Sequence, residues 1–177
     1  MSDRLIFLYW CDKMKKTVLC FFALILLLCG CKEQKTVDVN LKNLSMDADV
    51  KYRSYTINCT IELDGGGMFT STINAPEAIA GTIVRYDGDM LTVSYMGLEY
   101  TPEKSPKKEH VNGIINMILS SASAGAQAER TEKGFMLKSK VANYEYELYV
   151  SEVGLPLSLE CEKADLYAEF SNVKLGN

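Results

Sequence analysis

One histidine, one tryptophan and four prolines occur in 177 residues, and neither sign of charge dominates: 19 lysines and arginines face 23 aspartates and glutamates, for a net charge of −4. A lone histidine, His110, excludes a His-rich metal site. Without a basic excess there is no nucleic-acid footprint. No tract is biased enough to imply disorder, and 47% hydrophobic with 24% charged residues is ordinary for one globular domain. Gly-x-Ser-x-Gly elbows, paired histidines and Walker loops are also missing, so no motif for nucleophilic or phosphoryl chemistry is present. The expectation is a protein that is not an enzyme and uses no cofactor and no metal.

What is present begins with the first 31 residues. An apolar, leucine-rich run from Thr17 to Gly30 follows Lys13, Lys15 and Lys16 and ends at Cys31-Lys32. At about 1.5 Å per residue these fourteen residues reach about 21 Å, short of the roughly 30 Å hydrocarbon layer, so the run reads as a signal peptide, residues 1–30. Its end, Leu28-Cys29-Gly30-Cys31, resembles the bacterial lipobox, in which a small residue precedes a cysteine that becomes the diacylglyceryl N-terminus. Two chains of palmitate length, at about 0.8 kcal/mol per buried CH₂, anchor effectively permanently. The expected location is the extracytoplasmic face of the cell membrane, reached through Cys31, with residues 31–35 as a tether.

Removing residues 1–30 takes four of the basic and two of the acidic side chains, leaving 147 residues at −6 and three of the six cysteines. Such a chain buries about two-thirds of its unfolded surface and can fold alone. The negative surface leaves the lipid as the main membrane contact. Cys59 and Cys161 alternate with apolar neighbours and point inward, making them a candidate disulfide, although free buried cysteine is equally compatible with the pattern.

Residues 36–177 read as successive strands with period-two alternation. Phe69, Ser71 and Ile73 oppose Thr70, Thr72 and Asn74; Tyr144, Tyr146, Leu148 and Val150 oppose Glu145 and Glu147. Turns are expected at Asp64–Gly67, Asp87–Asp89, Lys133-Gly134 and Gly154. One helix is predicted over about 106–124, opened by Ser105-Pro106, with Val111, Ile114, Ile115, Ile118, Leu119 and Ala122 in one stripe. His110, near its start, is expected to be an exposed polar residue. About nine strands at about 4.8 Å give a sheet about 43 Å wide, whereas a helix is about 10 Å across. The expected fold is therefore mainly β (α+β): a curved antiparallel half-barrel with one amphipathic helix on its concave face.

A lipobox, a long antiparallel meander, a helical insertion and closing strands together resemble the LolA/LolB/RseB-like superfamily. Pro76–Gly81, Tyr86–Asp89, Gly154–Leu159 and Phe170–Val173 look like segments of its lipid-anchored Gram-positive members. That resemblance implies an incomplete barrel with a helical lid, whose inner surface holds acyl chains or, in some members, another protein. LolA itself has no lipid anchor, and the exposed insertion-loop leucine of LolB has no match here.

Two functions follow. In the first, the excess apolar sheet face binds an acyl or other hydrophobic ligand, lined by Ile57, Ile61, Val93, Tyr95, Ile114, Ile118, Leu157 and Leu159; the same residues equally suit a plain core. In the second, a non-catalytic lipoprotein presents its acidic outer face, with Tyr149 and Tyr167, to an envelope partner such as a germination-type cell-wall hydrolase or a sensor. Glu145 and Glu147 read as a solvated strand face. The triplets Asn43-Leu44-Ser45 and Asn58-Cys59-Thr60 read as chance matches to a glycosylation signal.

Residues before Met14 add Asp3 and Asp12 to a region that should be basic, so translation is expected to start at Met14. Mass spectrometry of precursor and mature protein checks both N-terminal expectations. No peptide from residues 2–13 should appear, and Cys31→Ser should lose its acyl mass and its membrane fractionation; an acylated C31S protein would overturn the assignment.

Overall fold

In a computed structural model, the structure describes residues 35–37, 39, 41, 43–87, 90–103, 110–122 and 127–176. The signal peptide, Leu28, Cys29, Gly30 and Cys31 lie outside them. The strands are β1 (Lys35–Thr36), β2 (Leu44–Tyr52), β3 (Tyr55–Leu63), β4 (Phe69–Ala75), β5 (Ile83–Asp87), β6 (Met90–Tyr95) and β7 (Leu98–Tyr100). After the helix α1 (Val111–Ser121) come β8 (Gln127–Thr131), β9 (Gly134–Val141), β10 (Tyr144–Val150), β11 (Pro156–Cys161) and β12 (Leu166–Leu175).

All twelve strands form one antiparallel sheet in the order β1-β8-β9-β10-β11-β12-β2-β3-β4-β5-β6-β7. It is open, with β1 and β7 as its edges. Flat, twelve strands would span about 58 Å. Yet inward residues from β2 to β6 and from β8 to β12 join α1, a rod about 16 Å long, in a single buried cluster. The sheet therefore curls around the helix, as the expected half-barrel does. The non-local joint is β12 against β2, where Asp47 accepts from Asn172 Nδ2 at 2.8 Å and from Thr60 Oγ1 at 3.0 Å, stitching β12, β2 and β3 on the outer face.

The alternation was legible strand by strand, but three strands more than the expected nine are present. Two of the turns were not visible as turns. Met96 and Gly97 both have positive φ, 49° and 81°, and form the two-residue turn between β6 and β7; Ala142, at φ 52°, helps form the one between β9 and β10. Alanine and methionine carry no αL preference, so composition hides both turns.

The helix also departs from expectation. It spans Val111–Ser121 instead of 106–124, and its N-cap is His110. Residues 106–109, 123 and 124 of the predicted span lie outside the described residues. Cys59 and Cys161 are free buried thiols and not a disulfide. Strands β12 and β2 lie between β11 and β3, so three strand spacings, about 14 Å, part the two cysteines across the sheet, and the register sets them four residues apart along it as well. A bridge needs Cα atoms within about 7 Å.

Gly134, at φ +138°, opens β9 where a Cβ would stand 2.2 Å from the Val150 carbonyl oxygen and 2.9 Å from Ser151 backbone atoms. Only glycine fits both the space and the dihedral. Gly134→Ala should lower stability by about 3 kcal/mol and the thermal midpoint by about 10 °C. A calorimetric midpoint equal to wild type would show that the β10 backbone yields.

Candidate ligand-binding site on the inner face

The helix is clipped to the sheet at both ends by tyrosine hydroxyls. At its C-terminal end Ser121 Oγ lies 3.1 Å from the Tyr146 hydroxyl of β10. At the other end the His110 ring stacks on Tyr86 of β5, with centroids 5.4 Å apart and planes 12° apart, and Tyr86 in turn meets Phe69 edge-on at 5.9 Å. His110 Nδ1 accepts from the Gly113 N–H at 3.4 Å. The neutral imidazole then carries its proton on Nε2, which meets the Tyr86 hydroxyl. His110 is thus a half-buried cap and not the exposed polar residue expected. Its charge pattern hid this, because N-caps are usually Ser, Thr, Asp or Asn.

Under the helix the interior is filled. Ile61, Ile114, Ile118 and Leu159 are buried in the common cluster, and Ile57 packs against it, half-buried. Leu157 leaves the inward row because the β10–β11 register slips between Tyr149 and Val150. Val150 pairs with Pro156, which is buried in the place expected for Leu157.

Beyond the helix, among the described residues, the inner face becomes progressively exposed. Val84, buried on β5, pairs with Val93, which pairs with Tyr100; Tyr95 pairs with Leu98. Period two therefore sets Val93, Tyr95, Leu98 and Tyr100 on the inner face. Val93 and Tyr95 are half-buried, while Leu98 is 77% and Tyr100 66% exposed. The four form an apolar shelf along edge strand β7, with Ile79 and Met96, 39% and 82% exposed, at one end. Of the eight residues expected to line a ligand site, only Val93 and Tyr95 reach this shelf. Leu98 and Tyr100 escaped notice because three residues are too short a run to show alternation. A smaller recess of about 150 Å³, lined by Leu41, Leu63, Met68 and Leu119 beside the Asp64–Gly67 turn, opens between β3, β4 and the helix end.

The outer face is charged. Lys138 pairs with Glu147 at 2.6 Å and Lys140 with Glu145 at 3.4 Å, and Tyr149 donates to Glu147 at 3.0 Å. The Lys138 ammonium, then the Tyr149 hydroxyl, hold the Glu147 carboxyl below its usual value. Glu145 and Glu147 are thereby engaged in ion pairs. Among the described residues no group of His, Cys, Asp and Glu is placed to hold a metal ion, and no helix is long and apolar enough to cross a membrane.

The chain is similar to a solved LolA superfamily protein from Nitrosomonas europaea, at 11% identity over 79% of this chain and 89% of that one, with a TM-score of 0.41. It is also similar to a DUF1329 family protein from Desulfovibrio piger, at 10% identity over 77% and 87%, again with a TM-score of 0.41. No family model and no curated protein matches it.

Burial holds the His110 imidazole below its ordinary value. As pH falls through about 6.5 the unfolded chain takes the proton first, so this group's contribution is whole above that pH and declines below it. Protonation would also remove the Nδ1 acceptor and set a cation at a helix N-terminus. Urea midpoints between pH 7.5 and 5.5 should therefore fall further for wild type than for His110→Asn, which caps without titrating; equal falls would sink the assignment.

Proposed function

We propose that the protein is a lipid-tethered, non-catalytic binding module that takes an acyl chain or similar hydrophobic group onto the shelf of Val93, Tyr95, Leu98 and Tyr100. The observation that carries this reading is the exposure of Leu98 and Tyr100 on the same face of the sheet that elsewhere forms the core. Water-exposed apolar side chains continuous with a core are a surface waiting to be covered. Acylated Cys31 would hold the module at the membrane through a tether of four residues, at most about 14 Å extended.

A second reading, a protein occupant in place of lipid, is favoured by β7 itself. Among the described residues its outer edge has no strand beside it, so its backbone can accept an added strand.

A fluorescent fatty-acid probe tests the first reading. Wild type should take up the probe, and Leu98→Glu with Tyr100→Glu should weaken uptake at least about tenfold without lowering the thermal midpoint, because both side chains are exposed. No uptake by wild type rejects the lipid reading. A photocrosslinker at position 98 separates the two occupants, labelling phospholipid in one case and a protein in the other.

A further inference from the structure

A concavity lies away from the shelf, at the end of the sheet where the β9–β10 turn meets the short 3₁₀ turn Glu162–Ala164. It measures about 700 Å³, within the usual range for small-molecule sites. Three lysines and four glutamates line it, one net negative charge, together with Asn143.

These charges divide into two sets. Lys138–Glu147 and Lys140–Glu145 are cross-strand ion pairs that fix one wall. Glu160, on the neighbouring strand β11, and Glu162 and Lys163, in the 3₁₀ turn that follows it, make no ion pair among the described residues. Glu160 stands directly across from Glu147 on the neighbouring strand. Like charges so placed repel, and the row that begins Lys138, Glu147 lacks the cation that would follow. The Tyr149 hydroxyl and the Lys138 ammonium already occupy Glu147, so its carboxylate is held in place instead of swinging away. An ammonium group of a ligand would fill the missing position, and Lys163 would supply a counter-charge for a carboxylate.

We propose that this cleft binds a short zwitterionic peptide of net charge +1, its ammonium groups held by Glu160 and Glu162 and its carboxylate by Lys163. The complementarity is electrostatic on both signs, which separates this ligand from a simple diamine or a simple anion. The site is independent of the apolar shelf, since no residue is shared between them.

Isothermal titration of the full mature protein with lysyl-alanine, at concentrations up to about 10 mM, tests the proposal. Wild type should bind, with affinity falling as salt is raised. Glu160→Gln and Glu162→Gln should each weaken binding about fivefold or more, and Lys163→Ala should weaken lysyl-alanine but not putrescine, which has no carboxylate. Alanyl-alanine, with one ammonium fewer, should bind at least about fivefold more weakly. All three substitutions are at exposed positions, and unchanged thermal midpoints confirm folded variants. No binding by wild type overturns the proposal, as does binding that is indifferent to Glu160 and Glu162. Putrescine binding as well as lysyl-alanine overturns the role of Lys163. The fatty-acid probe reads the shelf separately, so either site can fail alone.

Discussion

A sheet that is apolar on one side only must find cover for that side, and in this protein the cover is one helix of eleven residues. Twelve strands cannot be roofed by so small a rod while flat. Curling brings the inner faces of distant strands onto the helix and onto each other, so that one cluster contains residues from nearly every strand. The Tyr86–His110 and Tyr146–Ser121 contacts then fix where the rod lies. Both use polar tips on largely buried aromatic bodies, which lets the helix be positioned without interrupting the apolar packing.

Where the helix stops, burial stops with it. The inner face continues through β6 to β7, but nothing among the described residues rests on Leu98 or Tyr100. The same mismatch of area that bends the sheet thus leaves a shelf at one edge. Stability is concentrated in the central strands and the helix, and exposed apolar surface at the periphery. An exposed edge is also easier to vary or cover than a packed centre, because substitutions there leave the core untouched.

The two faces carry different chemistry for one reason, the period of two along each strand. On β10, Tyr146, Leu148 and Val150 go inward and Glu145, Glu147 and Tyr149 outward, and the outward row meets Lys138 and Lys140 of β9 in register. This much was readable from the chain. Register slips were not: nothing in Gly154–Leu159 announces that Pro156 would take the inward place in front of Leu159 while Leu157 falls half-buried between them. Nor does any local signal say that His110 caps the helix, since a capping histidine depends on a Tyr86 that lies 24 residues earlier. Ser71 is a related case: alternation sets it inward correctly, and its hydroxyl ends buried beside the Cys59 thiol.

Alternation, glycine-rich turns and one amphipathic stripe determined by themselves that the chain forms a one-faced antiparallel sheet with a helix, because side-chain direction in a strand or helix is a local property of the backbone. Which apolar residues become core and which stay uncovered was decided only in three dimensions. Ile61, Ile118 and Leu98 look alike along the chain, and their fates differ because the helix reaches the first, contains the second and ends short of the third. The separation of Cys59 from Cys161, and the convergence of Glu147 with Glu160, follow from the order of strands across the sheet, a long-range pairing of β12 with β2 that no window of sequence contains.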